Sequence, residues 1–380
     1  MKILQVITSL QIGGAEKLVA EISPMLREKG HDVDVLAFAG TGPNFIHLLE
    51  EKGIKVYTFG EHVNVYNPTF IPKLAKMMKG YDIIHTHNTS PQYFAALGSL
   101  VNGKCHLVTT EHNTYNRRRS IPLFKIIDRW MYSRYEQIIC ISDQAEANMR
   151  KFLPKTDGIC TIYNGVNVQA FHNAEAIEGM HAEGKTVVVM VAAFRPQKDQ
   201  RTLIKAFSQL PQDKYELWLV GDGELYEELH SYVYSIHPQK SETNGVISYG
   251  NMRFFGNRPD VPQILHSADI VVMSSHYEGL SLSSVEGMSV GKPFIASDVD
   301  GLREVVDGYG ILFPHGDDNS LASIIQQLSD DKDYYKQVAA KCWKRAQMFD
   351  IQKMVDAYNE VYEGLVNKRV KHEILKKRNR

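Results

Sequence analysis

Two carboxylates frame the stretch YEGLSLSSVE, in which Glu278 and Glu286 enclose seven uncharged residues. Paired carboxylates can work as acid and base, bind a metal, or accept hydrogen bonds from vicinal hydroxyls. The preceding run DIVVMSS is typical of a buried strand, and SSVEGMSVG has a helical pattern. We therefore expect Glu278 on a strand-exit loop and Glu286 near a helix start, where it could also simply complement the helix dipole. The backbone amides that could point at a ligand belong to Gly279, Leu280, Ser281 and Leu282.

Another apolar run, TVVVMVAAF, is followed by the turn RPQKD, which contains the cations Arg195 and Lys198. Two cations beside a helix N-terminus favour a phosphate or diphosphate, although solvated surface charges are the alternative. Gly13 and Gly14 precede a helical pattern near the N-terminus, which fits either a close phosphate approach or an ordinary tight turn. The loop is not GxGxxG, so the nicotinamide or flavin fingerprint is missing.

Short apolar runs alternate with helical patterns along the whole chain, in two series. This alternation predicts an α/β architecture of two Rossmann-like, doubly wound domains that face a central cleft, with ligands at the carboxyl ends of the strands. The polar stretch 167–185 separates the two series and is interpreted as an interdomain linker. We expect an N-terminal domain at 1–173 and a C-terminal domain at 174–348. A helix at 349–368 is expected to pack back on the first domain, followed by a basic tail at 369–380.

Composition narrows the class of protein. The 380 residues are 43% hydrophobic and 23% charged, with a net charge of -1, which gives no global attraction to nucleic acid. The four cysteines lack CxxC spacing, so a zinc or disulfide scaffold is not expected and a reducing compartment fits. Neither a signal peptide nor a membrane span is indicated, and we expect a cytoplasmic protein.

An ordered set of motifs carries a family resemblance. From the N-terminus these are GGAE, IIHTHN, TTEHN, IYNGVN, RPQKD, VGDGE, FFGNRPDV, YEGLSLSSVE and GLREVVDGYGILF, ending at about residue 313. In this order they resemble the retaining, nucleotide-sugar-dependent glycosyltransferases of family 4, which have the GT-B fold. The resemblance implies that Glu286 binds the nucleotide ribose and that Glu278 faces the donor sugar. Arg195 and Lys198 would bind the diphosphate.

The resemblance also implies that the domain at 1–173 is the acceptor side and that the domain at 174–348 binds the nucleotide sugar. The remaining donor and sugar contacts are implied in the same way. The glycine turn at Gly13 and Gly14 would approach the phosphate, and the nucleobase would lie against Phe255 and Asn257. His112, which follows the TTE strand, would approach the reacting sugar.

Three histidines leave a metal site open as an alternative. His85 and His87 form HxH at a strand end, as in many metallohydrolases, but the later strands offer no converging ligand set. We expect His85 to be a packed core histidine and His87 a weaker acceptor-side candidate. The DVD at 298–300 imitates a metal motif but is interpreted as structural. No metal and no other cofactor is expected.

The segment after His112 mixes basic and aromatic residues and includes Arg117, Arg118 and Arg119. Together with the basic tail it is typical of a protein that binds an anionic membrane surface, but equally of a helix with a solvated face. We expect a saccharide or lipid-linked saccharide acceptor and a location at the inner face of the membrane.

The resemblance thus predicts a retaining transfer of sugar from a UDP- or GDP-sugar in cell-surface polysaccharide or glycan synthesis. Two alternatives stay open. A sugar-nucleotide epimerase of the same fold would convert donor without acceptor, and a non-catalytic sugar-nucleotide-binding protein would show no turnover.

Overall fold

The computed structural model describes residues 1–11, 13–101, 104–113, 117–154 and 157–378, without the side chains at 117, 120 and 369–378. Side chains of the predicted basic tail therefore lie outside the described residues. The chain forms two compact units. Unit 1 comprises Met1–Asn164 and Lys353–Arg380, and unit 2 comprises Gly165–Gln352.

Strands and helices alternate in unit 1, as the sequence predicts. Its elements are β1 (Lys2–Ile7), α1 (Gly14–Glu28), β2 (Asp32–Ala37), α2 (Pro43–Glu51), β3 (Lys55–Thr58), α3 (Phe70–Met78), β4 (Ile83–His87), α4 (Thr89–Gly98), β5 (His106–Glu111), a 3-10 helix (Arg117–Ser120), α5 (Pro122–Tyr132), β6 (Gln137–Cys140), α6 (Asp143–Phe152) and β7 (Ile159–Thr161).

Unit 2 continues the same alternation. Its elements are α7 (Val168–His172), β8 (Thr186–Val191), a 3-10 helix (Pro196–Lys198), α8 (Gln200–Ser208), β9 (Tyr215–Val220), α9 (Tyr226–Ile236), β10 (Lys240–Thr243), β11 (Val246–Tyr249), β12 (Met252–Phe254), α10 (Val261–Ser267), β13 (Ile270–Met273), α11 (Leu282–Ser289), β14 (Phe294–Ser297), α12 (Asp300–Val306), β15 (Ile311–Phe313), α13 (Asp318–Asp330), α14 (Lys332–Ala346) and a 3-10 helix (Gln347–Phe349). Helix α15 (Ile351–Arg378) starts in unit 2 and belongs to unit 1 from Lys353 onward.

The sheet of unit 1 has the strand order β3-β2-β1-β4-β5-β6-β7 within the described residues, and its pairings are parallel. Its central strands are buried on both faces, which is why they read as apolar runs without alternation. Helix α15 packs on this unit through Tyr358 and Tyr362, both fully buried. Unit 1 is therefore completed by helix α15, which follows unit 2 in the sequence.

The sheet of unit 2 has the order β10-β11-β12-β9-β8-β13-β14-β15 in the part that the structure describes. Strands β8 and β13 are neighbours, with Val188 opposite Ile270. Because parallel strands end at the same edge of a sheet, the loops that leave β8 and β13 meet. The prediction of two Rossmann-like α/β domains is confirmed.

Three strands, β3, β10 and β11, were not predicted from the pattern of apolar runs. β3 is a partly exposed edge strand, and β10 is exposed along its whole length, so neither shows an apolar run. β10 and β11 form an antiparallel hairpin whose turn is Asn244–Gly245, both with positive φ. Asn-Gly is the strongest short hairpin signal and would have revealed this pair.

The division between the units falls earlier than the expected boundary after residue 173. Helix α7 lies in unit 2, capped by the Asn167 side chain, and His172 stacks on Trp343 with ring centroids 3.8 Å apart. A backbone bridge joins Val166 to Asp350. The polar stretch is thus partly packed structure rather than a free linker.

Among the helices that the structure describes, none combines the length and the hydropathy that crossing a bilayer requires.

Candidate active site

Glu278 lies in the loop after β13, and its carboxylate contacts three hydrogen-bond donors. Its Oε1 lies 2.5 Å from Lys198 Nζ and 2.7 Å from Ser275 Oγ, and its Oε2 lies 3.3 Å from Gln197 Nε2. The Glu278 side chain is 9% exposed. A charge-assisted pair this well buried forms only when geometry and extra donors offset the desolvation of both charges. The chain thus places a cation and a carboxylate together at the strand edge where ligands bind.

The loops after β8 and β13 are joined by one backbone–backbone hydrogen bond and one from a side chain to the backbone. The amide of His276 donates to the Gln197 carbonyl at 2.8 Å, and Gln197 Nε2 donates to the Tyr277 carbonyl at 2.9 Å. These bonds fix Lys198 opposite Glu278. Ser275 and Gln197 were not among the predicted site residues, although Gln197 is adjacent to Lys198 and Ser275 precedes Glu278 by three positions.

A glycine in α12 allows the Glu278 loop to approach closely. A Cβ added at Gly301 would lie 1.9 Å from the Gly279 carbonyl oxygen and 2.4 Å from that of Glu278. Any larger residue at 301 must therefore displace the loop that carries Glu278. The glycine of DVDGL thus has a positional role that the sequence pattern alone did not reveal.

The other donor-side candidates lie on the same edge of unit 2. Glu286 is half-buried in the second turn of α11, and Arg195 is exposed at the end of the β8 loop. Ser281 caps α11, accepting from the Ser284 amide at 3.4 Å. The amides of Gly279, Leu280, Ser281 and Leu282 therefore lead into a helix N-terminus, which favours anions.

Phe255 and Asn257 follow β12 and differ in exposure. Asn257 is exposed, whereas Phe255 is buried and packs edge-on against Trp218. Phe255 also lines a cavity of about 330 Å³ together with Arg253 and Arg258. A base contact by Phe255 stays a prediction, limited to the part of the ring that reaches this cavity.

The glycine turn of unit 1 carries a carboxylate beside it. Gly13 precedes α1 in extended backbone, and Gly14 is the first residue of the helix. The Glu16 carboxylate lies against Gly13, with Oε2 2.2 Å from where a Cβ would be. A phosphate bound at this helix N-terminus would have to displace that flexible acidic side chain.

The buried His85 and His87 and the partly buried His112 form a hydrogen-bonded cluster in unit 1. His87 Nε2 lies 2.9 Å from Gln5 Oε1, and His87 Nδ1 lies 3.0 Å from His112 Nε2. His85 contacts the Tyr362 hydroxyl at 2.5 Å and Thr110 Oγ1 at 2.8 Å. Both nitrogens of His85 and of His87 are engaged, so a metal that took one nitrogen of each ring would have to break at least two of these hydrogen bonds. The structure therefore favours the packed role of His85 over a metal site.

The chain of hydrogen bonds fixes which nitrogens carry hydrogen. An amide oxygen only accepts, so His87 Nε2 donates to Gln5. Burial lowers the pKa of His112 to about 4, and burial followed by the charges of His85 and His112 holds that of His87 well below its usual range. Both rings are therefore neutral near pH 7. His87 Nδ1 accepts from His112 Nε2, and His112 Nδ1 is left as an acceptor.

Acid should destabilise this histidine cluster. Burial lowers the pKa of His85 to about 3 and that of His87 well below its ordinary value, whereas in the unfolded chain both take up protons below about pH 6.5. The stabilisation is thus complete above pH 6.5 and is lost as pH falls toward the folded-state values. The free energy of unfolding should fall by about 1.4 kcal/mol per pH unit for each histidine. Urea unfolding at several pH values measures this slope.

His87→Gln provides the comparison for the acid effect, because it keeps an acceptor and a donor but removes one titrating group. Its slope should be smaller by about 1.4 kcal/mol per pH unit between about pH 6 and pH 5. Identical slopes in both proteins would contradict the assignment.

Arg118 and Arg119, predicted on the acceptor side, form ion pairs within unit 1. Arg118 Nη2 lies 2.9 Å from Asp128, and Arg119 Nη2 lies 2.8 Å from the buried Glu111. Because each cation already has a carboxylate partner, binding to an anionic surface would compete with these pairs, and their acceptor-side role stays a prediction. The side chain of Arg117 lies outside the described residues.

Both aspartates of the DVD stretch form ion pairs with Arg303. Arg303 Nε lies 2.6 Å from Asp298 and Nη1 lies 3.3 Å from Asp300, at the start of α12. These ion pairs fit the structural interpretation of the motif.

The two Rossmann-like units have the architecture of the GT-B glycosyltransferases. Residues 12–170 match the model of Glycosyltransferase Family 4, and residues 174–345 match that of Glycosyl transferases group 1. The chain belongs to glycosyltransferase family 4.

Similar proteins agree with this assignment. The chain is 28% identical to an uncharacterized glycosyltransferase of Methanocaldococcus jannaschii, covering 85% of this chain and 84% of that protein. It is 26% identical to the phosphatidyl-myo-inositol mannosyltransferase of Mycolicibacterium smegmatis, covering 95% and 93%. The crystal structure of Anabaena HepE in complex with UDP has the same fold, with a TM-score of 0.80 and 23% identity over 96% of this chain and 100% of HepE. HepE has also been crystallised with UDP-glucose, a structure that aligns with a TM-score of 0.73.

Proposed function

We propose that this enzyme transfers a sugar, with retention of anomeric configuration, from a UDP- or GDP-sugar to a saccharide or lipid-linked saccharide in cell-surface glycan synthesis. The observation that carries the proposal is the Lys198–Glu278 pair at the carboxyl ends of β8 and β13. It combines a cation for a diphosphate with an acceptor for sugar hydroxyls. The UDP-glucose complex of HepE, a protein of the same fold, supports the choice of donor.

The chemistry follows from charge. As the bond between sugar and phosphate breaks, negative charge grows on the leaving nucleoside diphosphate. Lys198 and the α11 N-terminus stabilise that charge, aided by Arg195. Glu278 accepts hydrogen bonds from the donor sugar, Glu286 holds the ribose, and His112 presents Nδ1 to the reacting sugar. The acceptor hydroxyl attacks from the face of the departing phosphate, which takes its proton.

Thermal stability with a panel of UDP-, GDP-, ADP- and CMP-sugars tests the donor proposal, because a ligand that binds only the folded state raises stability by mass action. UDP- or GDP-sugars should stabilise the enzyme, and Glu286→Ala should weaken this effect. Product analysis then determines the anomeric configuration. Conversion of the donor without acceptor would point instead to an epimerase, and binding without turnover to a non-catalytic protein.

We further propose that transfer needs no metal, because Lys198 and Arg195 supply the positive charge. Activity should persist after EDTA treatment and dialysis. The measurement is the initial rate of transfer with and without EDTA. Full loss of activity that manganese or magnesium restores would overturn this proposal.

The acceptor side is proposed to contact an anionic lipid surface through α5. This helix turns an apolar face to solvent, with Leu123 65% and Ile126 70% exposed, together with Phe124 and Trp130. Exposed apolar side chains beside the cation of Lys125 are typical of a helix that lies in a membrane interface. The name of the similar phosphatidyl-myo-inositol mannosyltransferase of Mycolicibacterium smegmatis contains a lipid, which supports this proposal.

Vesicle binding should therefore depend on the apolar face rather than on Arg118 and Arg119. We expect wild-type protein to sediment with vesicles that contain anionic lipid and to be only partly released by salt, because salt screens exposed charges but not apolar insertion. Leu123→Ser with Ile126→Ser should weaken binding by about tenfold or more, since each side chain contributes about 1.5–3 kcal/mol when fully buried.

Tyr234→Ser with Met348→Ser is the matched control, because these exposed apolar side chains lie in unit 2. This variant should bind vesicles like the wild type. If the wild type stays in the supernatant with every vesicle composition, the acceptor is a soluble one and α5 has another role.

A further inference from the structure

Three metal-ligating side chains converge beside the lysine–glutamate pair, on loops that leave β8, β13 and β15. They are Asp199, His276 and His315. His276 Nδ1 lies 2.6 Å from His315 Nε2 and 3.6 Å from Asp199 Oδ2, and all three ligand atoms lie within 4.8 Å of one another. Any two of these residues are at least 39 positions apart in the sequence, so no local motif predicts the cluster.

The ligand types and separations suit one transition-metal ion. Two imidazole nitrogens and one carboxylate oxygen form a set that Zn²⁺ accepts, with a fourth position left for water. Ligand atoms at about 2.05 Å from a tetrahedral zinc lie about 3.3 Å apart. The observed separations of 2.6 Å and 3.6 Å bracket that value. Because His315 is exposed, a small rotation of its ring can open the shorter distance.

The carboxylate of the cluster is held in place from behind. Asp199 is 8% exposed and caps α8, and its Oδ2 accepts from Thr202 Oγ1 at 2.6 Å. Its backbone adopts the left-handed conformation with φ 48°. A hydrogen bond from a neighbouring residue that orients a metal-binding carboxylate is a regular feature of metal sites. His276 is held through its backbone amide, which donates to Gln197.

We propose that Asp199, His276 and His315 bind Zn²⁺ or a chemically similar divalent transition-metal ion. Asp199 directly follows Lys198, and His276 precedes Glu278 by two residues. A bound ion would restrain both loops of the lysine–glutamate pair from outside and would take no part in sugar transfer. The site is therefore compatible with activity in EDTA, and its failure would leave the donor proposal intact.

Zinc titration of the EDTA-treated and dialysed full-length enzyme tests the site. Isothermal titration near neutral pH should give one Zn²⁺ per chain, and zinc should raise the melting temperature. Co²⁺ should give the intense visible absorption of a tetrahedral site. His315→Ala should bind zinc about tenfold or more weakly and lose the cobalt spectrum. Because His315 is exposed, this variant should fold normally, which circular dichroism checks.

His181→Ala is the matched control. His181 is an exposed histidine of unit 2 that pairs with a single carboxylate, Asp269, at 2.8 Å. It should bind zinc like the wild type. Equal zinc binding by wild type and His315→Ala, or no binding by the wild type, would overturn the proposal.

Discussion

Lys198→Ala is expected to lower turnover by about 10²–10³-fold, the usual cost of removing one charge-stabilising donor from an active site. Lys198 Nζ is fixed 2.5 Å from Glu278 at the carboxyl end of β8, where the leaving diphosphate is proposed to lie. Its loss leaves the growing negative charge without its nearest cation. The measurement is kcat and KM with saturating acceptor.

Two further variants separate chemistry from structure. Lys198→Ala also strands the nearly buried Glu278 carboxylate, so Lys198→Ala with Glu278→Ala removes that unpaired charge. The double variant should regain stability but not turnover. Lys205→Ala removes an exposed lysine of α8 and should leave kcat unchanged. A Lys198→Ala enzyme within about threefold of the wild type would refute the assigned role.

His112→Ala is expected to lower kcat by about 10²-fold with a smaller change in KM, because loss of a positioning contact misplaces the reacting sugar. The hydrogen bond from His112 Nε2 to His87 keeps Nδ1 as the acceptor. Substitutions of His87 should therefore lower kcat too. His87→Leu should reduce kcat as well, whereas His87→Gln, which can accept from His112 and donate to Gln5, should recover most of it.

A double variant distinguishes this positioning role from general destabilisation. If His87 acts through His112, His87→Leu with His112→Ala should be no slower than His112→Ala alone. A merely structural role predicts additive losses, and an equal defect in His87→Leu and His87→Gln would exclude positioning through the hydrogen bond.

The sequence by itself determined the fold class and the place of the residues that we propose to bind the donor. Strands buried on both faces, such as β4 and β8, must be apolar throughout, so they stand out without any structure. Turn residues after such strands lie at the carboxyl edge of a parallel sheet, which located Lys198 and Glu278 on that edge. Edge strands such as β10 bury little apolar surface and therefore left no comparable pattern.

Only the tertiary structure decided which side chains meet. Ser275 and Gln197 surround Glu278 because β8 and β13 are neighbours in register, an order that the chain does not spell out. Arg119 was expected on the acceptor side because of its charge, but tertiary packing pairs it with the buried Glu111. Tertiary packing also brings together His315 and Asp199, which lie more than a hundred residues apart in the sequence. Periodicity reports how each segment is buried, whereas contacts between distant side chains depend on strand order and register.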